Sequence, residues 1–276
     1  MPRFPAPYYA WLEACSSLPY IVRPVKDDAW RSYWEVVTSN GHRDGSDGTV
    51  LNAEIVAYLR TINTFRPGDS VLDVGCGMGQ YSMLFARDAK KVCGLDISAE
   101  ILDLLLDDAS KKGISNIDVA VSKWSDYAPH GKYDLVFSSF CPAVNGPAEL
   151  MKMEWLSSRS CCYVASAGGP RGVLYELWEA LAGETFSADS NKVSYPLELL
   201  RACGRKPEIN YFTEERSGPM PAGAVIDNFK AYFRMFMDVD RQKEQFISEF
   251  VQNYYDRDIS EKKPGMAVGV VSWEVP

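Results

Sequence analysis

Apolar positions change their spacing along the chain near residue 65. Before that point they recur at helical intervals, which predicts helices near residues 8–15, 27–38 and 50–64. After it, short β-type runs alternate with helical stretches, a pattern typical of a parallel sheet covered by helices on both faces. The predicted strands are 70–74, 91–96, 117–121, 133–137 and 161–165, followed by strands near 206–213 and 266–275.

A second helical pattern separates the last two predicted strands. Its apolar side chains fall on two helical faces, formed by Ile226, Phe229, Tyr232, Phe233 and Phe236 and by Phe246, Phe250 and Tyr254. This spacing predicts a packed pair of helices. We therefore divide the chain into an N-terminal helical cap (1–65), a sheet domain (66–216 and 263–276) and a helical insertion (217–262).

Composition narrows the possible partners and location. Of 276 residues, 29 are Lys or Arg and 37 are Asp or Glu, a net charge of −8 that argues against a nucleic-acid partner. The seven cysteines form no C-x-x-C pair and there are two histidines, so we expect no metal site and reduced thiols. With neither a signal peptide nor an apolar run long enough to span a membrane, we expect a cytoplasmic protein without membrane contact.

The first predicted strand leads into a glycine-rich bend and then a helix. Residues 71–79 read Val-Leu-Asp-Val-Gly-Cys-Gly-Met-Gly, and Gly75, Gly77 and Gly79 allow a tight turn and close approach of a ligand. The second strand ends in Asp96, whose carboxylate suits the two hydroxyls of a ribose. The bend and Asp96 together predict a nucleoside site.

Two nucleoside cofactors compete for this site. A dinucleotide fingerprint, G-x-G-x-x-G, requires glycine at position 80, where this chain has Gln80. Asp73, two residues before the first glycine, would also repel a pyrophosphate. A carboxylate there suits a ligand that carries an ammonium group, as S-adenosylmethionine (SAM) does.

Three segments, residues 71–82, 92–98 and 133–138, resemble the class I SAM-dependent methyltransferases. The resemblance implies a three-layer Rossmann-like α/β sandwich. Its seven-stranded sheet would be mostly parallel with an antiparallel last strand, with N-terminal helices and the helical insertion between strands 6 and 7 added to it. It also implies SAM as cofactor and S-adenosylhomocysteine as product.

The resemblance further implies roles for single residues. The three glycines would line the methionine and ribose of SAM, Asp96 would hold the ribose hydroxyls, and Ile97 would pack on adenine. Many relatives have an acidic residue after the third strand, where this chain has Ser122, so Ser122 or Asp126 would bind adenine instead and Trp124 would stack on it. The predicted cofactor residues are Asp73, Gly75, Cys76, Gly77, Gly79, Asp96, Ile97, Ser122, Lys123, Trp124 and Ser138.

Methyl transfer from a sulfonium is an in-line displacement that depends mainly on alignment of the acceptor and exclusion of water. A hydroxyl or ammonium acceptor would also need a base, for which His42 is the first candidate and Tyr8, Tyr33 and Tyr232 are weaker ones. The predicted substrate pocket consists of Tyr33, Phe140, Cys141 and Tyr232.

The sequence therefore favours a methyltransferase with a small-molecule acceptor. Two alternatives remain open: a methyltransferase that acts on protein or RNA, and a SAM-binding regulatory protein without catalytic activity. The acceptor atom and the oligomeric state have no signal in the sequence, because O, N, S and C acceptors share one fold.

Overall fold

A computed structural model describes residues 4–16, 25–40, 50–168, 173–184, 192–214, 221–258 and 266–276. The helices in this part of the chain are α1 (Ala6–Ser16), α2 (Asp27–Ser39), α3 (Val50–Thr61), α4 (Gln80–Ala86), α5 (Ala99–Lys111), α6 (Pro147–Leu156), α7 (Val173–Ala182), α8 (Ser194–Ala202), α9 (Ala222–Arg234) and α10 (Arg241–Asp258). The strands are β1 (Ser70–Val74), β2 (Lys91–Asp96), β3 (Ile117–Val121), β4 (Tyr133–Ser139), β5 (Ser157–Gly168), β6 (Glu208–Glu214) and β7 (Met266–Glu274). None of the described helices is long and apolar enough to cross a membrane.

The seven strands form one sheet in the order β3-β2-β1-β4-β5-β7-β6. Strands β1 to β5 are parallel to one another, whereas β7 runs antiparallel to both β5 and β6. Val74, near the end of β1, pairs with Leu95 on one side and Ser138 on the other. The predicted topology is confirmed, and the carboxyl ends of β1, β2 and β4 meet at one edge.

Helices cover both faces of the sheet, which confirms the three-layer architecture. One apolar core joins the sheet to α3, α4 and α5 through Ile55, Leu59, Phe85 and Leu105. The other joins it to α1, α6 and α8 through Trp11, Leu150 and Leu199. Strand residues 71–74 are all buried, because helices cover both faces of the sheet. Apolar residues in β1 therefore follow one another instead of alternating with polar ones.

A third apolar cluster lies in the added helices. Trp178 of α7, Phe233 of α9 and Ile247 and Val251 of α10 are buried against one another. Helix α2 packs on α9, so the N-terminal part of the chain contacts the insertion. The pair of helices predicted between strands 6 and 7 is present as α9 and α10, while the division into three regions stays a prediction.

One strand begins earlier than its pattern predicts. Helix α6 passes directly into β5 at Ser157, whereas the apolar run begins only at Cys161. The first residues, Ser157-Ser-Arg-Ser160, are polar, and they are held by hydrogen bonds: the Ser157 hydroxyl donates to the Ser160 carbonyl at 2.7 Å. Polar strand ends of this kind have no apolar signal in a sequence.

A buried carboxylate near the end of α6 joins three parts of the chain: α6 itself, the turn after α8, and β7. Glu154 of α6 accepts two hydrogen bonds from the Arg205 guanidinium, each at 2.9 Å, and one from the Trp273 indole at 2.9 Å. Such a bidentate pair is stable in a core because both oxygens have partners. Removing the guanidinium would leave a buried charge that only Trp273 compensates.

We expect Arg205→Leu to lower the free energy of unfolding by about 3 kcal/mol, because it leaves the buried Glu154 carboxylate without its charged partner. Arg201→Leu, on an exposed position of the neighbouring helix turn, is the control and should change stability by less than about 0.5 kcal/mol. Urea denaturation followed by circular dichroism measures both. Equal effects of the two substitutions would contradict the structural role of the pair.

Candidate functional site

The glycine bend between β1 and α4 has a backbone that other residues adopt poorly. Gly75, Gly77 and Gly79 have φ values of 69°, 53° and 81°, in the left-handed region. The bend is held by the Leu95 carbonyl, which accepts from the backbone N–H groups of Gly75 at 2.8 Å and Cys76 at 3.1 Å. The bend therefore packs directly against the end of β2.

Two of the three glycines lack space for a side chain. A Cβ on Gly79 would lie 2.0 Å from the Leu105 Cδ1 atom, and one on Gly75 would lie 2.3 Å from the Cys141 sulfur. A Cβ on Gly77 would meet nothing within 4 Å. Gly79 thus allows the bend to pack on α5, and Gly75 allows it to pack on the loop after β4. Gly77 borders open space.

Asp96 lies at the end of β2, beside this bend. Its Oδ2 accepts from the Gly77 backbone N–H and its Oδ1 from that of Ser98, both at 3.1 Å. Burial raises the pKa of this carboxyl, and the backbone hydrogen bonds oppose that shift. Since a carboxylate has about four acceptor sites, each oxygen keeps capacity for one more donor, such as a sugar hydroxyl.

Asp73 is a buried carboxyl beneath the bend, with a side chain 2% exposed. The Ser82 hydroxyl donates to its Oδ2 at 2.6 Å. Burial raises the pKa of Asp73 to about 7, against the lowering effect of the Ser82 hydrogen bond. A cation placed nearby would favour the ionised form of this carboxyl.

Two thiols flank the bend. Burial raises the pKa of Cys141 to about 12 and raises that of Cys76 well above its ordinary value. Both groups are therefore neutral thiols at neutral pH and poor nucleophiles. Their close contacts with Gly75 and Gly94 make them walls of the site.

The carboxyl end of β4 carries the residues that we predicted for the acceptor side. Ser138 is buried and its hydroxyl donates to the Val74 carbonyl at 3.3 Å. Phe140 follows with a φ of 48°, a strained backbone for a residue with a side chain, and its ring is 46% exposed. Cys141 lies directly beside the glycine bend, against Gly75, and Phe140 precedes it in the chain.

The three residues that follow β3, Ser122, Lys123 and Trp124, each have different contacts. The Ser122 backbone N–H donates to the Asp96 carbonyl at 3.0 Å, while its hydroxyl donates to the Lys123 carbonyl at 3.0 Å. Lys123 forms an ion pair with Asp27 of α2 at 2.5 Å. Trp124 is 3% exposed, and its indole donates to the Glu149 carbonyl at 3.2 Å, which favours a role in the core over stacking on a ligand.

The predicted aromatic pocket residues from distant parts of the chain meet. The rings of Tyr33 on α2 and Tyr232 on α9 are 5.8 Å apart in an edge-to-face arrangement. The Asn40 side-chain amide also donates to that of Asn228 at 3.2 Å. Tyr8, the other tyrosine considered as a base, stacks on Phe4 at 4.1 Å, and His42 lies outside the described residues.

The structure thus brings together Asp73, the three glycines, Cys76, Asp96, Ser122, Ser138 and Cys141 around one sheet edge. Sequence reasoning missed Ser82 of α4, whose hydroxyl donates to the buried Asp73 carboxyl. The spacing of nine residues between the two carries no sequence signal for that contact. Among the described residues, no cluster of three or more His, Cys, Asp or Glu side chains is arranged to hold a metal ion.

The fold and the glycine bend define a Rossmann-like α/β protein with a nucleoside-type site. Residues 71–153 match a family model described as a methyltransferase domain. Residues 71–153 are therefore a methyltransferase domain, and the fold is one that SAM-dependent methyltransferases share.

Relatives of known function share this part of the chain. A protein-L-isoaspartate O-methyltransferase from Polaromonas sp. is 28% identical over 112 residues, which cover 39% of this chain and 46% of that protein. The chain aligns with less than half the length of the first curated relatives. These relatives differ in their acceptors, since their names include protein, rRNA and phosphoethanolamine methyltransferases.

Solved structures extend the likeness to most of the chain at the level of fold. A SAM-dependent methyltransferase from Thiobacillus denitrificans, crystallised with S-adenosylhomocysteine, has a TM-score of 0.57 and 16% identity, covering 88% of this chain and 97% of that one. A coclaurine N-methyltransferase bound to N-methylheliamine and S-adenosylhomocysteine has a TM-score of 0.53 and 14% identity, covering 98% and 89%.

Gly79, which is crowded, and Gly77, which borders open space, should differ in how much stability is lost when a methyl group is added. We expect Gly79→Ala to lower the free energy of unfolding by about 3 kcal/mol, because the new Cβ collides with buried Leu105 on a left-handed backbone. Gly77→Ala has the backbone penalty alone and should lower it by about 1 kcal/mol. Thermal and urea unfolding of the two variants side by side give the comparison. A Gly77 variant less stable than the Gly79 variant would refute it.

Proposed function

We propose that the protein binds SAM at the glycine bend and transfers its methyl group to a small molecule. The observation that carries this proposal is the pairing of Asp96 with the bend. The Asp96 carboxylate is fixed by the Gly77 and Ser98 backbone N–H groups and keeps acceptor capacity, while the space next to Gly77 is open. A ribose with two free hydroxyls fits these acceptors.

The parts of the cofactor follow from this anchor. With the ribose on Asp96, the adenine extends toward Ile97 and Ser122, because β3 is the neighbour of β2 on that side. The methionine end extends along the bend above β1, toward Asp73 and the end of β4. Asp73 then stabilises the ammonium group, an interaction that a buried carboxyl supports strongly.

The chain's own residues act by placing the reactants. SAM supplies an activated methyl group on a positively charged sulfur, so the protein must align the acceptor and exclude water. Phe140, held with a strained backbone at the end of β4, and the neutral thiol of Cys141 form the wall beside the transferred group. In this proposal, helices α2 and α9, joined by the contact of Tyr33 with Tyr232, form another wall of the acceptor pocket.

Three observations support a small acceptor. Helices from two parts of the chain lie beside the sheet edge, because α2 is joined to Lys123 after β3 and packs on α9, and such covered sites are typical of small ligands. The rings of the predicted pocket, Tyr33, Tyr232 and Phe140, suit an apolar or planar molecule. The net charge of −8 disfavours an RNA acceptor. Cytoplasmic location is part of the same proposal.

Calorimetric titration with S-adenosylhomocysteine tests the cofactor site. We expect saturable binding by the wild-type protein and at least tenfold weaker binding by Asp96→Asn, because an amide offers one acceptor atom where the carboxylate offers two. Asp118→Asn, an exposed position on β3 paired with Lys91, is the control and should bind normally. Absence of heat and of competition at millimolar ligand would refute the proposal.

Turnover requires a second readout. Radiolabelled methyl release from SAM across panels of amines, phenols, thiols and carboxylic acids should identify an acceptor class, and the Asp96→Asn variant should lose that activity. Transfer to denatured protein or to RNA but to no metabolite would establish the macromolecular alternative. Binding with no turnover on any panel would favour the regulatory alternative.

The raised pKa of Asp73 predicts a proton coupled to binding. In the ligand-free protein the carboxyl is half protonated near pH 7, and the ligand's ammonium group favours the ionised form. Binding of S-adenosylhomocysteine should therefore release a proton at pH 6, and affinity should rise as the pH rises from 6 to about 7 and then level off. Calorimetry in two buffers of different ionisation enthalpy counts the proton. Asp73→Asn should remove the release, and an equal release in that variant would refute the assignment.

A further inference from the structure

Gln80 occupies the position at which a dinucleotide fingerprint has its third glycine. It directly follows Gly79, the last glycine of the bend, and it is the first residue of α4. Its side chain is exposed, whereas residues 81–86, which complete the helix, are all buried. A ligand that lies on the bend can therefore reach the Gln80 side chain.

The orientation of the Gln80 amide is fixed by α3. Asn52, a buried residue of that helix, donates from Nδ2 to Gln80 Oε1 at 3.2 Å. A side-chain amide has an acceptor oxygen at one end and a donor NH2 group at the other. Because Asn52 engages the oxygen, and Gln80 Nε2 has no partner among the described residues, the end that remains for a ligand is a donor.

The first turn of α4 also borders the carboxyl assigned above to the ligand's ammonium group. The Ser82 hydroxyl donates to Asp73 Oδ2 at 2.6 Å, so this turn lies against Asp73. With the ribose on Asp96 beside Gly77, the amino-acid part of the cofactor runs along the bend to its far end, where Gln80 follows. An α-amino acid has its ammonium and carboxylate groups on one carbon, so both groups come close to this turn.

The carboxylate of the ligand needs a donor of its own. The site already contains the carboxyl groups of Asp73 and Asp96, and burial disfavours a further negative charge beside them. Hydrogen bonds to an ionised carboxylate are among the stronger ones. A neutral amide supplies such a bond without a positive charge that would compete with the ligand's ammonium group for Asp73.

We propose that Gln80 is a cofactor-binding residue that donates from Nε2 to the carboxylate of SAM, and this proposal rests on the function proposed above. Asn52 is a positioning residue, because it holds the Gln80 oxygen and thereby leaves the donor end of the amide to the ligand. Helix α3 then contributes to recognition of the cofactor, although it lies outside the glycine motif.

The test compares two ligands that differ in one group. S-adenosylhomocysteine and its decarboxylated analogue share the adenosine, the sulfur and the ammonium group. Both are titrated calorimetrically into the wild-type protein, Gln80→Met and the control Gln245→Met, which removes an exposed amide from α10. We expect Gln80→Met to bind S-adenosylhomocysteine about tenfold more weakly and the analogue as the wild type does, because the lost hydrogen bond is to a charged group. The control should bind both ligands normally.

Asn52→Leu tests the positioning role. Leucine has a similar shape but no donor, so the Gln80 amide loses its anchor and can turn its oxygen toward the ligand. We expect this variant to weaken S-adenosylhomocysteine selectively, though less than Gln80→Met does. The double variant should bind as Gln80→Met alone does, because the two residues act through one hydrogen bond. Additive losses would show that Asn52 acts independently of Gln80 and would overturn its positioning role.

Unfolding of the ligand-free variants in urea supplies a second readout. Because the Gln80 side chain is exposed, Gln80→Met should leave the unfolding midpoint unchanged. Equal weakening of both ligands by Gln80→Met, or an unchanged affinity for S-adenosylhomocysteine, would overturn the proposal. A wild-type protein that binds neither ligand would instead refute the function proposed above.

Discussion

The arrangement of this protein depends on one steric constraint: two glycines in the bend after β1 have no room for a Cβ. Gly79 is closed by buried Leu105 of α5, and Gly75 by Cys141 after β4. Close packing on both sides brings the helix after β2 and the loop after β4 to the same turn. The positions of Asp96 and of Phe140 relative to one another are consequences of that contact, because Asp96 ends β2 and Phe140 follows β4, the two neighbours of β1.

Features with a local physical cause could be predicted from the sequence. Strand and helix periods predicted the elements, and Ser98 caps α5 by a local contact in which its hydroxyl accepts from the Ile101 N–H. The glycine bend was recognisable because a left-handed backbone and a crowded Cβ both select glycine. The family resemblance added what periods do not contain, namely that β7 runs antiparallel.

Features that depend on long-range contacts could not be predicted. The pairing of Lys123 with Asp27 joins residues almost a hundred positions apart, and no spacing rule links them. On α10, Phe246 and Phe250 seemed to define the buried face, yet Ile247 and Val251 are the buried residues and Phe246 is 40% exposed. An amphipathic helix has one dominant face, but which residues at its border are covered depends on the neighbouring helix.

Burial explains how such a site would work without a strong base of its own. It raises the pKa of Asp73, Asp96, Cys76 and Cys141 together, so the ligand-free site resists holding negative charge. A ligand with positive charge on sulfur and nitrogen reverses this, because it stabilises the carboxylates in the same low-dielectric environment that penalised them. The positive charges of the cofactor and the negative charges of the two carboxylates would then balance. The acceptor would contact uncharged groups, namely a thiol and aromatic rings. Rate acceleration in such a site comes from alignment and exclusion of water more than from proton transfer.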